Sequence, residues 1–178
     1  MMPRPGEARS FPCSADENAR VLILGSMPGA ESLRRQEYYA FKHNAFWRIM
    51  GEVYGFSPEL PYPERLAELR RRGVALWDVL AACERPGSLD SDIRAARPND
   101  IPGLVEKLPK LERILCNGGA ARTYLRRFFP ELDACQLPST SPAAARWSYA
   151  GKLAAWREAL SRSVRGARKK PNISPRQV

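Results

Sequence analysis

The sequence predicts a three-layer α/β/α fold with a central four-stranded parallel sheet, because short strand-like segments alternate with segments of helical pattern. Strands that are buried on both faces of a parallel sheet are short and largely apolar. The four segments that fit are VLIL (21–24), VALW (74–77), RILC (113–116) and CQL (135–137). Parallel sheets bind ligands at the carboxyl ends of their strands, so we expect the functional residues in the loops after these segments.

Five segments have a helical pattern of apolar residues. They are 45–54, 63–72, 101–108, the stretch after 117–119 up to about 129, and 148–164. Pro63 at the start of the second helix and Gly73 just after its end are typical boundary residues. Residues 1–19, 26–44 and 81–99 are expected to be irregular, and a loop as long as 26–44 is usually functional.

The chain has 178 residues and is expected to form one domain over 1–165, followed by a basic, flexible tail at 166–178. Lys and Arg total 29 against 19 Asp and Glu, which gives a net charge of +10. Residues 161–178 contribute six of the basic residues and no acidic one, so the excess over the rest of the chain is four. This charge favours a nucleic-acid partner only modestly.

The composition also disfavours several kinds of site and location. No apolar run approaches the roughly 20 residues that span a bilayer, and the N-terminal segment lacks the apolar core of a signal peptide, so we expect a cytoplasmic protein. The four cysteines form no CxxC pair and His43 is the only histidine, so a structural zinc or iron–sulfur site is not expected. We predict a monomer that uses no metal and no cofactor.

Three segments after the first and last strands carry a resemblance to a known family. They are GSMPGAESL (25–33), QEYYAFKHNAFWRIM (36–50) and LPSTSPAAARWSYAGKLAAWR (137–157), supported by 15–29, 73–93 and 114–121. Together they resemble the uracil-DNA glycosylase superfamily, most closely its hypoxanthine-DNA (deoxyinosine) glycosylase branch, over about residues 11–160. The resemblance implies a uracil-DNA glycosylase-like fold and a monofunctional DNA glycosylase of base-excision repair. Its expected substrate is DNA that contains deaminated bases, hypoxanthine first and uracil as a second candidate.

The resemblance assigns base binding to the turn formed by Gly25, Ser26, Met27 and Pro28. Backbone N–H groups of such a tight turn can face a base carbonyl. Met27 stands where many superfamily members have an aspartate or asparagine that handles the attacking water. A thioether cannot do this, so another residue must.

The branch relies instead on the asparagine of its NxFW motif, here Asn44, which is the expected catalytic residue. An amide is not a general base near neutral pH, but it orients a water or binds a polar atom; the alternative is an Asn44 that only ties down the loop. The branch commonly has HPxN where this chain has FKHN at 41–44. His43 is a candidate auxiliary proton donor, although a surface or DNA-facing histidine is preferred.

Tyr39 aligns with an aromatic that stacks on the flipped base, while one of Tyr38 and Tyr39 could belong to the core.

Asp78, at the end of the second strand, aligns with the residue that reads the base edge. Deamination of adenine turns its N1 acceptor into an N–H donor and its amino group into a carbonyl. A carboxylate only accepts, so Asp78 would bind the new N–H and disfavour the undamaged base. A helix-capping or strand-end aspartate is the alternative. Asn117, after the third strand, is a weaker candidate for the same pocket or for loop closure.

The segment after the fourth strand is expected to press on the damaged DNA strand. Ser139 stands where many uracil enzymes have a histidine that stabilises the leaving oxygen, and a serine offers only a neutral hydrogen bond. The DNA-binding or wedge residues implied are Ser139, Ser141, Pro142, Ala143 and Arg146. Trp147 is an alternative wedge, or packs in the core against the last helix.

Three other functions are compatible with parts of the sequence. A G·U/G·T mismatch-type uracil/thymine-DNA glycosylase stays within the superfamily, although Met27 argues against efficient uracil removal. A non-catalytic DNA-binding module is a second alternative. A nucleoside hydrolase is disfavoured, because the chain has no N-terminal aspartate cluster to bind calcium. No lysine occupies a recognised Schiff-base position, so a lyase step is not expected.

Overall fold

The structure is a computed structural model that describes residues 5–162. Its strands are β1 (Glu7–Arg9), β2 (Val21–Gly25), β3 (Val74–Asp78), β4 (Leu80–Glu84), β5 (Arg94–Pro98), β6 (Arg113–Asn117) and β7 (Cys135–Leu137). Its α-helices are α1 (Ala30–Arg35), α2 (Phe46–Tyr54), α3 (Tyr62–Arg71), α4 (Ile101–Glu106), α5 (Gly119–Phe128) and α6 (Tyr149–Ser161). Within this part of the chain, no helix is long and apolar enough to cross a membrane.

Strand β2 lies inside the main sheet, whose order is β3-β2-β6-β7 and whose strands are all parallel. Val21 pairs with Val74 on one side and with Arg113 on the other. All five residues of β2 are buried, as its continuous apolar sequence predicts. The predicted four-stranded parallel sheet is therefore confirmed, and the carboxyl ends of its strands lie along one edge.

The side chains of β2 alternate between two hydrophobic cores, one on each face of the sheet. Leu22 and Leu24 belong to the first core, and Val21 and Ile23 to the second. From the helices, the first core includes Ile101, Leu104, Val105, Ala121 and Leu125, and the second includes Phe46, Ile49, Met50, Leu69 and Trp156. Each fully buried aliphatic side chain contributes about 2 kcal/mol. This packing on both faces confirms the predicted α/β/α layers and holds the strand ends in place.

Polar caps fix the starts of two helices. The Oδ1 of Asp100 accepts a hydrogen bond from the Gly103 backbone N–H at 3.0 Å, at the start of α4. The Oγ of Ser148 accepts one from the Gly151 N–H at 3.0 Å and starts α6. The other predicted helix boundaries agree with the observed ones to within two residues. The predicted end of the last helix, at 164, and the predicted tail at 166–178 lie outside the described residues.

A second sheet was not predicted. Strands β1, β4 and β5 form a three-stranded antiparallel sheet in the order β1-β4-β5, so the expectation of irregular structure at 1–19 and 81–99 was wrong for part of both ranges. The β5 sequence, RAARP, is exposed except for a half-buried Ala96, so its pairing leaves no alternating apolar pattern. Helix α1 likewise occupies part of the loop predicted at 26–44.

Candidate active site

A cavity of about 410 Å³ opens at the carboxyl edge of the main sheet. It is lined by residues that follow β2, β3, β6 and β7, together with the loop between α1 and α2 and the loop between β4 and β5. Its lining includes Gly25, Ser26, Met27, Pro28, Glu31, Tyr38, Tyr39, Phe41, Asn44, Asp78, Ser88, Asp90, Asn117, Ser139, Thr140 and Ser141. Cavities of this size accommodate small molecules. Of the stretches expected to converge, at 25–29, Asn44, Asp78 and 139–146, the pocket brings together 25–29, Asn44, Asp78 and 139–141, whereas 142–146 lie outside its lining.

Asp78 lies deep in this pocket, with 3% of its surface exposed. Its backbone carbonyl accepts a hydrogen bond from Asn99 Nδ2 at 2.8 Å. Its side-chain Oδ2 is buried and has no hydrogen-bond partner among the described residues. Gly25 sits directly opposite, because a Cβ there would approach Asp78 Oδ1 to 2.5 Å. A side chain at this position would thus collide with the carboxyl group. The base of the pocket therefore contains a buried carboxylate oxygen that no described residue binds.

Burial raises the pKa of the Asp78 carboxyl from 3.8 to about 7, because desolvation disfavours the charged form. The negative charge of Asp90 raises this pKa further, and the guanidinium of Arg85 lowers it. The carboxyl consequently changes charge near neutral pH. Shifts of this kind concentrate at sites that perform chemistry or recognition.

The two adjacent tyrosines have different environments. Tyr38 is a core residue with 4% of its surface exposed, and its hydroxyl donates to the Pro12 carbonyl at 3.0 Å. One face of the Tyr39 ring stacks on Phe46 with centroids 4.0 Å apart, and its hydroxyl is 3.2 Å from where a Cβ on Gly25 would lie. Burial, followed by the charge of Asp78, raises the pKa of Tyr39 well above 10, so it remains a neutral phenol. Phe41, which sequence reasoning did not single out, is 45% exposed and also lines the pocket.

Asn44 combines a structural contact with a place on the pocket wall. Its Oδ1 accepts a hydrogen bond from the Phe46 backbone N–H at 3.0 Å, at the start of α2. The half-buried side chain also lines the cavity. The amide oxygen is therefore engaged in the protein, while the amide nitrogen is the group that Asn44 can offer to a ligand. His43 is exposed, packs edge-on against Phe41 with ring centroids 5.3 Å apart, and is absent from the lining.

Asn117 ties the loop after β7 to the sheet. Its Nδ2 donates to Thr140 Oγ1 at 3.0 Å, and its Oδ1 accepts from the Thr140 backbone N–H at 2.9 Å. The Thr140 carbonyl in turn accepts from the Ala45 backbone N–H at 3.0 Å, beside Asn44. Loop closure, one of the two roles considered for Asn117, is thus what these contacts provide. Thr140, which sequence reasoning missed, is 1% exposed and links two loops of the site.

The segment after β7 divides into a structured part and an exposed part. Ser139 and Ser141 line the pocket, and their hydroxyls accept backbone N–H bonds within the loop, at 3.2 Å in each case. The buried Lys152 donates from its Nζ to the Ser141 carbonyl at 2.9 Å, and burial lowers the pKa of this lysine. The residues that follow are exposed, namely Pro142, Ala143, Arg146 and Trp147. Trp147 is 41% exposed and belongs to neither core, although its ring lies against Gly151 of α6.

The tip of the β4–β5 hairpin holds the turn at 25–30 and was missed by sequence reasoning. The buried Arg85 donates from Nη2 to the Pro28 carbonyl. The Ser88 hydroxyl accepts from the Ala30 backbone N–H at 2.8 Å. Asp90 Oδ1 accepts from the Ser26 hydroxyl at 2.6 Å. The GSLDSDI stretch carries part of the family resemblance, but no local pattern assigned these residues to the site.

The structure also places Met27 and bears on the chemistry of the pocket. Met27 is 7% exposed and belongs to the first hydrophobic core while it also lines the pocket, so it offers apolar surface there. Over residues 5–162, no group of three His, Cys, Asp or Glu side chains is arranged to hold a metal ion. The polar groups that face the cavity are carboxylates, hydroxyls and amides, which suits hydrogen bonding to an uncharged polar ring.

Comparisons with known proteins agree with this geometry. A family model described as the Uracil DNA glycosylase superfamily matches residues 12–161. The chain is 42% identical to a Hypoxanthine DNA glycosylase of Methanosarcina acetivorans over 144 residues, 79% of this chain and 90% of that protein. It is 35% identical to a Hypoxanthine DNA glycosylase of Methanosarcina barkeri over 158 residues, 86% of this chain and 98% of that protein.

A solved structure shares the fold. The solution NMR structure of a Methanosarcina acetivorans protein, provisionally assigned as a uracil DNA glycosylase, matches with a TM-score of 0.71 and 38% identity, covering 88% of this chain and 99% of that one. The resemblance predicted from the three loop segments is confirmed by the family match over 12–161. The chain belongs to the uracil DNA glycosylase superfamily.

Proposed function

We propose that this protein is a monofunctional DNA glycosylase that removes hypoxanthine from deoxyinosine in DNA and leaves an abasic site. The observation that carries the proposal is the buried carboxyl of Asp78, whose Oδ2 has no partner among residues 5–162 at the base of a nucleobase-sized pocket. Two relatives named Hypoxanthine DNA glycosylase, at 42% and 35% identity, support the choice of base.

Asp78 explains how a deaminated base is told from a normal one. The N1–H of hypoxanthine donates to the ionised carboxyl, whereas the N1 of adenine presents a lone pair that the carboxylate repels. Uracil presents an equivalent N3–H, so we propose uracil as a weaker substrate. The apolar walls, which include Met27 and the ring of Tyr39, replace part of the stacking that an extruded base loses.

Catalysis in this scheme rests on positioning and electrostatics. The Asn44 Nδ2 holds the attacking water or a polar atom of the leaving base, and the positive charge that develops on the sugar is stabilised by DNA phosphates and pocket dipoles. The mechanism needs no metal and no cofactor. No lysine lines the pocket among residues 5–162, which favours simple hydrolysis over a Schiff-base lyase route.

The exposed segment after Ser141 is the proposed DNA-facing surface. Pro142, Ala143 and Arg146 are exposed and follow Ser141, which lines the cavity, so we propose that they press on the damaged strand and fill the gap left by the extruded nucleotide. A net charge of +10 favours approach to the phosphate backbone. We propose that the protein acts as a cytoplasmic monomer on DNA.

The test is a strand-cleavage assay under single-turnover conditions. Labelled duplexes with one inosine, uracil, xanthine or G·T mismatch are incubated with protein and then either treated with hot alkali or left untreated. We expect fastest release from inosine, slower release from uracil, and strand breaks only after alkali. Fastest release from uracil or G·T would identify a uracil- or mismatch-type enzyme, and binding without release from any duplex would identify a non-catalytic module. Strand breaks without alkali would contradict the monofunctional assignment.

A further inference from the structure

Three acidic residues line the pocket, and Asp90 differs from the other two. Both oxygens of Glu31 bind the guanidinium of Arg34, at 2.6 and 3.0 Å. Asp78 is buried at the pocket base, in the position proposed to read the base edge. Asp90 is exposed, and the Ser26 hydroxyl donates a hydrogen bond to its Oδ1. Its second carboxylate oxygen therefore remains open to water at the pocket wall.

The other groups proposed to act on the water cannot accept a proton. Met27, in the usual position of the water-handling residue, offers a thioether. The Asn44 oxygen already accepts from the Phe46 N–H, so its free group is an N–H₂ donor. Among the described pocket residues, Asp90 thus combines an acceptor oxygen, solvent access and a fixed orientation. These three properties are what a general base for the attacking water needs.

We propose that Asp90 is the general base for the attacking water, an inference that rests on the proposed glycosylase function. A water oxygen forms a bond to C1′ of the deoxyribose while the bond from C1′ to N9 of hypoxanthine breaks, and that electron pair leaves with the base. One proton of the water passes to the free oxygen of Asp90. The departing base takes its proton from solvent, and no oxidant or reductant is involved.

Ser26 holds this carboxylate in position. The residue is buried, and its hydroxyl lies 2.6 Å from Asp90 Oδ1, so this bond holds one carboxylate oxygen and leaves the other without a protein hydrogen-bond partner among the described residues. The contact of Ser88 with the Ala30 N–H and that of Arg85 with Pro28 keep the hairpin tip against the turn. The negative charge of Asp90 also favours the positive charge that develops at C1′ in the transition state.

The experiment compares Asp90→Asn and Asp90→Ala with Asp92→Asn, since Asp92 belongs to the same short 3₁₀ turn but does not line the pocket. Single-turnover release of hypoxanthine should fall about 100-fold or more in both Asp90 variants, the usual contribution of general base catalysis. Asp92→Asn should keep the wild-type rate. Binding of the inosine duplex should be at least as tight in the Asp90 variants, because a negative charge near phosphates is removed.

Two further measurements distinguish a general-base role of Asp90 from a purely structural role. Formate should accelerate Asp90→Ala in proportion to its concentration, because it supplies the missing carboxylate. Ser26→Ala keeps the carboxylate and loses only its anchor, so it should lose much less activity than Asp90→Asn. Near wild-type release by Asp90→Asn, no effect of formate, or an equal loss in Ser26→Ala would each overturn the assignment. A wild-type protein inactive on every deaminated duplex would instead refute the proposed function itself.

Discussion

The Asp78 carboxyl makes the stability of the protein depend on pH in a direction opposite to that of a paired surface carboxylate. Its pKa is about 7 in the folded protein, against 3.8 as the ordinary value. Between these two pH values the folded state binds more protons than the unfolded state, so the free energy of unfolding falls as pH rises. Asp78 therefore costs no stability at low pH and costs most above pH 7.

The magnitude follows from the shift. A difference of about three pH units, at 1.36 kcal/mol each, corresponds to about 4 kcal/mol at pH 8. At pH 5 the same relation gives less than about 2 kcal/mol, because the folded carboxyl is then almost fully protonated. Asp78→Asn removes the charge and with it this pH dependence. A buried amide brings its own constant offset of about 1–3 kcal/mol if it lacks partners, so the pH-dependent part is the quantity to measure.

The assay is urea unfolding followed by circular dichroism at pH 5, 6, 7 and 8. The stability of Asp78→Asn relative to the wild type should rise by about 2–3 kcal/mol from pH 5 to pH 8. Asp78→Ser is the matched control, since it also cannot titrate and should show the same pH dependence with a different offset. Asp78→Asn should also lose its preference for inosine, so that it gains stability at high pH and loses selectivity. A relative stability that stays constant over this pH range would refute the reasoning.

Three other substitutions test the geometry of the pocket. Gly25→Ala places a Cβ 2.5 Å from Asp78 Oδ1 and should slow hypoxanthine release about 100-fold or more in single-turnover assays; wild-type activity would show that the carboxyl can move aside. Asn44→Ser keeps an oxygen near the Phe46 N–H but loses the amide donor, so release should fall about 100-fold while the melting temperature stays near that of the wild type. Retained activity would leave Asn44 with a structural role only. Arg146→Ala should slow release from duplex DNA about tenfold while release from single-stranded DNA is unchanged, because only the duplex has a gap to fill; equal effects on both would exclude a wedge.

Strands β2, β3 and β6 of the main sheet could be predicted because they are almost fully buried, whereas only Leu137 of the edge strand β7 is buried. A run such as VLIL has few alternatives to a central parallel strand, and the carboxyl ends of parallel strands meet at one edge whatever the loops do. That rule is enough to place Gly25, Asp78 and Ser139 around one pocket from the order of strands and loops along the chain, whereas Asn44 was assigned to it by the family resemblance. Their convergence is a consequence of topology, to which the family resemblance added the roles.

The missed features depend on contacts that leave no local pattern. Strand β5 is held by backbone pairing, so its exposed arginines and alanines carry no signal of a strand. The hydrogen bond from Ser26 to Asp90 joins residues 64 positions apart. The two-sided grip of Asn117 on Thr140 likewise depends on where two distant loops end. Such contacts become visible only when the chain is folded.

The two hydrogen bonds between Asn117 and Thr140, and the bond from the Ala45 N–H to the Thr140 carbonyl, are made entirely between groups of the protein. Ordering of these two loops is therefore part of folding. Its entropy cost does not reduce the affinity for DNA. These contacts set the position of this part of the pocket wall. Under the proposed function, we therefore expect base extrusion to require a larger conformational change in the DNA than in these two loops.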